Sequence, residues 1–430
     1  MSEITMIKNE LLDEVVYKKI HESGLEMYFI PKKDYQKKFA YFTTRYGALY
    51  NDFTIDGEDE ITSMPHGIAH FLEHKIFEDK EKNIFEEFAK LGANVNAYTN
   101  FQSTAYMFST VENFYKSLEL LLDFVQNPHL TDENVEKEKG IIEQEINMYD
   151  DDSDWAVYFN LLKGLYHNHP MRHDIAGTVE SVKSITREQL QSCYDLFYSP
   201  QNMMVFVIGD LEVREVFKSI EDSLTDEYLA RTITPKIHII DEPRDVKDKN
   251  IVDNYEVALP LFALGFKDYN QYENTKARLK KSMAIKIALD MMIGRGSDFY
   301  SSHYEAGSIN ASFSYEYSFG RTFSYSVIGG ESKDPENVKV IVLEEIAKFK
   351  ENGFVEEEFT RIKKKMIGRY LSSFNSIQYV ANTFISYYMK DVNLFEYLEV
   401  LNDVDLDYIT REVRGHFEEE FSTLSIVREK

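Results

Sequence analysis

The chain has 430 residues, with 48 Lys+Arg against 74 Asp+Glu and a formal net charge of −26. That length accommodates two large domains, and a 43% hydrophobic, 14% aromatic composition gives each a full core, which excludes a disordered chain. The negative charge argues against binding nucleic-acid phosphates or an anionic membrane surface, and the single cysteine, Cys193, excludes an internal disulfide or a thiolate zinc cluster.

The N-terminal stretch 1–19 interleaves charged residues with short apolar pairs and lacks the basic start and apolar run of a secretory signal. With no uncharged run near the length of a membrane span, a cytoplasmic protein is expected. Strands are predicted at Leu25–Ile30 and Ala40–Arg45, closed by Pro31 and Gly47, and again at Tyr106–Thr110 and Met203–Gly209. Helical periodicity covers 66–78, 83–91, 111–126 and 132–150. Two prolines and alternating charge over 231–250 read as a linker between an N-terminal domain, 1–230, and a C-terminal domain, 251–430. Beyond it, strands are predicted at Tyr255–Phe266, Ile309–Tyr317 and Thr322–Ile328, and helices at 271–293, 335–351 and 356–373. Short turns between strands favour antiparallel pairing, so the expected class is α+β, with mostly antiparallel sheets covered by helices. Both halves run strand, helix, strands, long helices, an order compatible with duplication although no period is sharp.

The informative segment is His70-Phe71-Leu72-Glu73-His74. At 100° per residue the two imidazoles share one helix face with Glu73 beside them, while Ile68, Leu72 and Ile76 occupy the opposite arc. Two histidines one turn apart can share a zinc ion, and a carboxylate that is not a ligand can take a proton from water at the metal. The order is that of the inverzincins. With 11 histidines in the chain, this spacing arises by chance in roughly a few per cent of such sequences, the plain alternative being polar residues at a helix start.

A third donor is expected on the helix 132–150, capped by Thr131. Val135, Ile142, Ile146 and Tyr149 form its apolar stripe, and Glu138 and Glu145 fall together at the edge of that arc. Acids there call for a cation or strong hydrogen bonds, which assigns Glu145 as third ligand with Glu138 supporting the site from behind; two partly exposed salt-bridging acids remain the alternative.

His70–His74, followed by Glu138-Lys139-Gly140-Ile141-Ile142-Glu143-Gln144-Glu145, resembles the pitrilysin/insulinase family of inverzincin metallopeptidases, which includes the mitochondrial processing peptidases and short bacterial members. Gly92–Thr99 is similar to that family's Asn-Ala-x-Thr segment, and the likeness runs from about residue 20 to 215, then more weakly through the second half, notably Ser297–Tyr317. The resemblance implies two homologous α+β domains, one Zn²⁺ per chain, Glu73 as the proton acceptor, and an edge strand whose Asn96 and Ala97 hold an extended peptide. It also implies a homodimer, or a heterodimer with a related chain lacking the metal site. Many relatives carry an Arg and a Tyr in the second domain; here those positions hold His303 and Asn310, leaving His303, Tyr304, Arg321 or a partner chain to supply the group. The expected function is zinc-dependent endopeptidase action on short or unstructured peptides, with precursor or leader peptides suggested by analogy. The alternative is a non-catalytic or partner-dependent subunit, against which the intact donor set argues. His167, His169 and His173 read as a surface loop, Cys193 as a buried small residue, and Arg361–Lys365 as a solvated helix face.

Overall fold

In a computed structural model of the chain, the described residues are 3–9, 12–55, 60–80, 82–232, 235–238, 240–269 and 274–430. The first residues of the helix expected at 271–293, and parts of the expected linker (233–234 and 239), lie outside them. The strands in chain order are β1 Thr5–Asn9, β2 Glu14–Ile20, β3 Glu26–Pro31, β4 Lys38–Thr44, β5 Asp52–Thr54, β6 Thr62–Ser63, β7 Ala93–Thr99, β8 Thr104–Thr110, β9 Met203–Gly209, β10 Lys236–Ile237, β11 Asn250–Tyr255, β12 Leu261–Lys267, β13 Ser314–Phe319, β14 Ser324–Glu331 and β15 Ser422–Glu429. The helices that matter most for the site are α1 Ile68–Ile76, α2 Ile84–Lys90, α3 Phe114–Gln126, α4 Asp132–Asp150 and α5 Ser153–Leu165.

Two compact units result. The first comprises Met1–Ile146, Asp174–His238 and Ser373–Met389; the second comprises Asn147–His173, Ile239–Ser372 and Lys390–Lys430. The change at His238 falls inside the stretch read as a linker, but a division at that point alone misplaces two segments. Residues 147–173 leave the first half for the second unit, and residues 373–389 go the other way.

The first unit is built on a seven-stranded sheet ordered β1-β2-β3-β9-β4-β8-β7, with a small antiparallel sheet β10-β5-β6 beside it. The second carries a five-stranded sheet, β11-β15-β12-β14-β13. Each of the two large sheets is antiparallel except for one pair: β3 runs parallel to β9, and β11 to β15. Strand for strand, β3-β9-β4-β8-β7 and β11-β15-β12-β14-β13 have the same order and the same directions. The α+β reading and the duplication therefore both describe the fold.

The borrowed helices occupy equivalent places. Within the second unit α5 packs on β15 and β12, and its Tyr158 shares a 2.6 Å hydroxyl hydrogen bond with Tyr325 of β14. Within the first, the helix Ile377–Tyr388 packs on β9 and β4, with Phe384 stacked on Phe206 at 4.5 Å and the Tyr41 hydroxyl donating to Asn382 at 2.6 Å. Each docks on the pair of central strands that correspond by topology.

Three local expectations change. The strand expected over Ile309–Tyr317 begins only at Ser314, as β13. The single strand expected over Tyr255–Phe266 is two, β11 and β12, because Pro260 lacks the N–H a continuous ladder requires. The N-terminal β1–β2 hairpin extends the first sheet although its outer strand is largely exposed and its alternation weak. Among the described residues no helix is long and apolar enough to cross a membrane.

Candidate metal centre

α1 begins at Gly67, whose φ of +89° lies in the left-handed region; a Cβ there would stand 2.3 Å from the carbonyl oxygen of Ala176. The close approach pins the helix start, and Ser181 adds an Oγ–H bond of 2.8 Å to the carbonyl of His66. Ile68, Ala69, Phe71, Leu72, Lys75 and Ile76 are buried, which turns His70 and His74 to the opposite, half-buried face with Glu73. α4 starts with a reciprocal cap, Thr131 Oγ1 accepting from the N–H of Asn134 and Asn134 Oδ1 from that of Thr131. Its buried residues are Val135, Glu138, Ile142 and Ile146, and Glu145 sits half-buried beside them.

These two helices bring His70, His74 and Glu145 together, with one donor atom from each within 4.8 Å of the others. Nε2 of His70 is 3.7 Å from Glu145 Oε1, and Nε2 of His74 is 3.5 Å from Glu145 Oε2. Donors held tetrahedrally at zinc-like bond lengths stand about 3.3 Å apart, so this N₂O set fits a divalent ion with little adjustment. His74 Nδ1 is 3.0 Å from Glu138 Oε1; donation there directs the lone pair of Nε2 to the shared centre. Burial, reinforced by the neighbouring His74, pushes His70 down to about 4 and keeps it the neutral imidazole a metal requires. For His74, burial acts downward but the Glu138 hydrogen bond and charge outweigh it and raise the pKa; Glu138 is correspondingly lowered, burial being overcome by His74 and Lys75. No other group of three potential donors converges among the described residues.

Glu73 stands next to this centre and makes no short contact of a ligand. Thr99 Oγ1 donates to its Oε2 at 2.6 Å, and Thr104 Oγ1 lies 3.1 Å behind Thr99. Burial raises the Glu73 pKa, with the Thr99 hydrogen bond opposing it, so the carboxylate is a stronger base than a solvated one. A cavity of about 830 Å³ opens beside Glu73 and His74, lined also by Phe77, Phe85, Asn96 and Ala97. Asn96 and Ala97 lie on β7, which ends the sheet order and pairs only with β8, so its outer backbone groups face away from the ladder.

The remaining expected site residues lie in the second unit. His303 and Tyr304 sit on the helix Asp298–Glu305, His303 against the ring of Phe299 at 4.5 Å and Tyr304 stacked on Tyr300 at 5.6 Å. Asn310 donates to Glu331 at 2.9 Å, and Arg321 pairs with Asp391 at 3.1 Å. None of these joins the donor cluster, which belongs wholly to the first unit. His169 is buried rather than on a surface loop: its Nδ1 accepts from the N–H of Met171 and its ring packs between Tyr166 and Phe323. Cys193 is buried, its thiol pushed up to about 12 by burial. Thr99 and Lys75 went unassigned by sequence reasoning; Lys75 projects between Phe71 and Ile68 on the helical wheel, in the buried arc, which was the available signal.

The chain is also similar to known proteins. Residues 62–179 match the model of Insulinase (Peptidase family M16), and residues 184–366 match that of the Peptidase M16 inactive domain. The chain is 38% identical over 406 residues, 94% of either chain, to the uncharacterized zinc protease YmfH of Bacillus subtilis. It is 28% identical over 207 residues to a probable mitochondrial-processing peptidase subunit beta of Arabidopsis thaliana, covering 46% of this chain and 39% of that one. Among solved structures, a putative M16-like peptidase from Alicyclobacillus acidocaldarius superposes with a TM-score of 0.92 at 35% identity, over 100% of this chain and 99% of the other.

Proposed function

The chain belongs to the M16, or insulinase, family of peptidases, and from that footing we propose that it is a zinc-dependent endopeptidase acting on short or unstructured peptides. The observation that carries the proposal is the convergence of His70, His74 and Glu145 beside a Glu73 that is held but not ligating. Zinc, when bound, supplies a Lewis acid for the substrate carbonyl and lowers the pKa of water at the site.

The chain's own residues do the rest. His70, His74 and Glu145 hold the ion. Thr99 fixes one oxygen of Glu73, leaving the other to accept a proton as water attacks the scissile carbonyl. Glu73 then delivers that proton to the amine nitrogen as the C–N bond breaks, returning to its carboxylate form with water added across the peptide bond. The outer edge of β7 offers main-chain hydrogen bonds to an extended chain at Asn96 and Ala97, and this mode selects segments free of their own secondary structure.

Glu73→Gln keeps the shape and removes the base. Turnover of an unstructured peptide should fall by about 10²–10⁴-fold or more while zinc stays near one per chain. Cleavage at parental rate by this variant overturns the role of Glu73, and a parent chain that binds no zinc overturns the proposal.

A further inference from the structure

One buried cation beside the metal donors has no task in the chemistry above. Lys75 follows His74 on α1, and its side chain is 0% exposed. Its helix neighbours on that arc, Ile68, Phe71, Leu72 and Ile76, are all buried and apolar, so packing alone calls for a leucine or methionine. An ammonium taken out of water costs several kcal/mol unless it is matched, and here two of its three partners, Glu138 and the Asn134 carbonyl, lie on the glutamate helix. Nζ lies 2.6 Å from Glu78 Oε2 and 3.6 Å from Glu138 Oε2, and it donates to the carbonyl oxygen of Asn134 at 3.1 Å.

Glu138 is thereby engaged on both oxygens, Oε2 by Lys75 and Oε1 by His74 Nδ1. Asn134 is the residue that closes the cap at the start of α4. Lys75 thus ties the histidine helix to the first turn of the glutamate helix, and Glu145 follows Glu138 by about 10 Å along the same axis. We propose that Lys75 is a positioning residue for the metal centre: it fixes the Glu138 carboxylate that orients the His74 ring. The assignment rests on the zinc reading for the identity of the ion and adds a residue that aims its His74 ligand.

The test is zinc affinity, measured by competition with a chromogenic chelator, so that it needs no turnover. Lys75→Met, which fills the same apolar slot, should weaken zinc binding by about 10–100-fold, the usual effect of losing an outer partner of a ligand. The rate at saturating zinc and KM should change far less. Glu138→Gln should weaken zinc binding as well, and the double variant should be no weaker than Glu138→Gln alone, because Lys75 acts through Glu138. A purely structural lysine predicts instead that the two losses multiply, and that outcome, or unchanged affinity in Lys75→Met, overturns the proposal. If the methionine variant does not fold, Lys75→Leu fills the slot without an N–H donor and is read the same way. Failure of the parent to bind zinc removes the peptidase reading; normal zinc binding in both parent and Lys75→Met removes only the role given to Lys75.

Discussion

The two units share one strand plan and differ in what they place at corresponding positions. Thr44 pairs with both Thr104 and Met203, and Phe266 pairs with both Ser326 and Ser422, which aligns the two sheets residue by residue. Two residues further on stand Tyr46 in the first unit and Asp268 in the second. The helices Arg187–Phe197 and Leu406–His416, each ending six residues before the next central strand, align Phe197 with His416 and Cys193 with Glu412. In the first unit this place is an aromatic stack, Tyr46 on Phe197 at 3.9 Å, over the buried Cys193. In the second it is a buried ionic network. Lys281 meets Asp268 at 2.7 Å and Glu412 at 3.8 Å, Tyr317 donates to Asp268 at 2.6 Å, and Ser326 joins His416 Nε2 at 2.7 Å. Even the edge strands match: Thr99, which holds Glu73, corresponds to Tyr317, which holds Asp268. A common backbone fixes where polar groups gather, and the side chains decide whether the gathering is a centre for chemistry or a sealed core.

The sharpest break between the units is the donor set. Glu145→Gln should remove zinc from the purified protein and reduce peptide cleavage to background, read by metal analysis and a fluorogenic peptide; full zinc content in that variant would strip Glu145 of its role.

Next in size is the sealed core of the second unit. Lys281→Met leaves Asp268 and Glu412 buried without their cation and should cost about 3–5 kcal/mol. Hydrogen exchange should locate the loss in 147–173, 240–372 and 390–430, with zinc still bound in the first unit; a uniform loss across both sheets would contradict the separation of the two units.

The smallest effect is the response to acid. Burial pushes His416 and His169 down to about 4. Between that value and the ordinary histidine value near 6.5, the unfolded chain binds protons that the folded chain refuses. Stability is therefore complete above about pH 6.5 and declines as pH falls towards 4, by at most about 3 kcal/mol for each histidine. His416 faces Asp268, Lys281 and Lys350, and none of these removes the sign of the burial effect. His416→Phe, which installs the first unit's residue at the matching place, should flatten the decline measured by urea unfolding at pH 7 and pH 5. An unchanged slope would place the acid response elsewhere.

Much of this was legible in advance. α4 runs over the residues its periodicity gave, 132–150, and β9 likewise over 203–209, because long amphipathic or fully apolar segments carry their own signal. The donor cluster was legible because helical geometry alone puts His70 beside His74 and Glu138 beside Glu145. The destinations of α5 and of the helix Ile377–Tyr388 were not legible. Their apolar faces announce burial, but the strands that bury α5 lie roughly a hundred residues or more further on, and periodicity carries no information about so distant a partner. Lys75 escaped for a different reason: a lysine next to a metal motif reads as solvent-facing until its place on the wheel is compared with those of Ile68 and Phe71.

The exchanged helices limit how this polypeptide can be dissected. α5 contributes Val157, Phe159, Leu161, Leu162 and Leu165 to a core whose strands are encoded after residue 249, and Ile377, Val380, Ala381, Phe384 and Ile385 return the loan. A gene cut at the proline-containing connector would yield two products, each missing an interior slab and exposing a sticky face. Truncation studies should therefore transplant helices along with sheets, or express both pieces in one cell and look for co-purification.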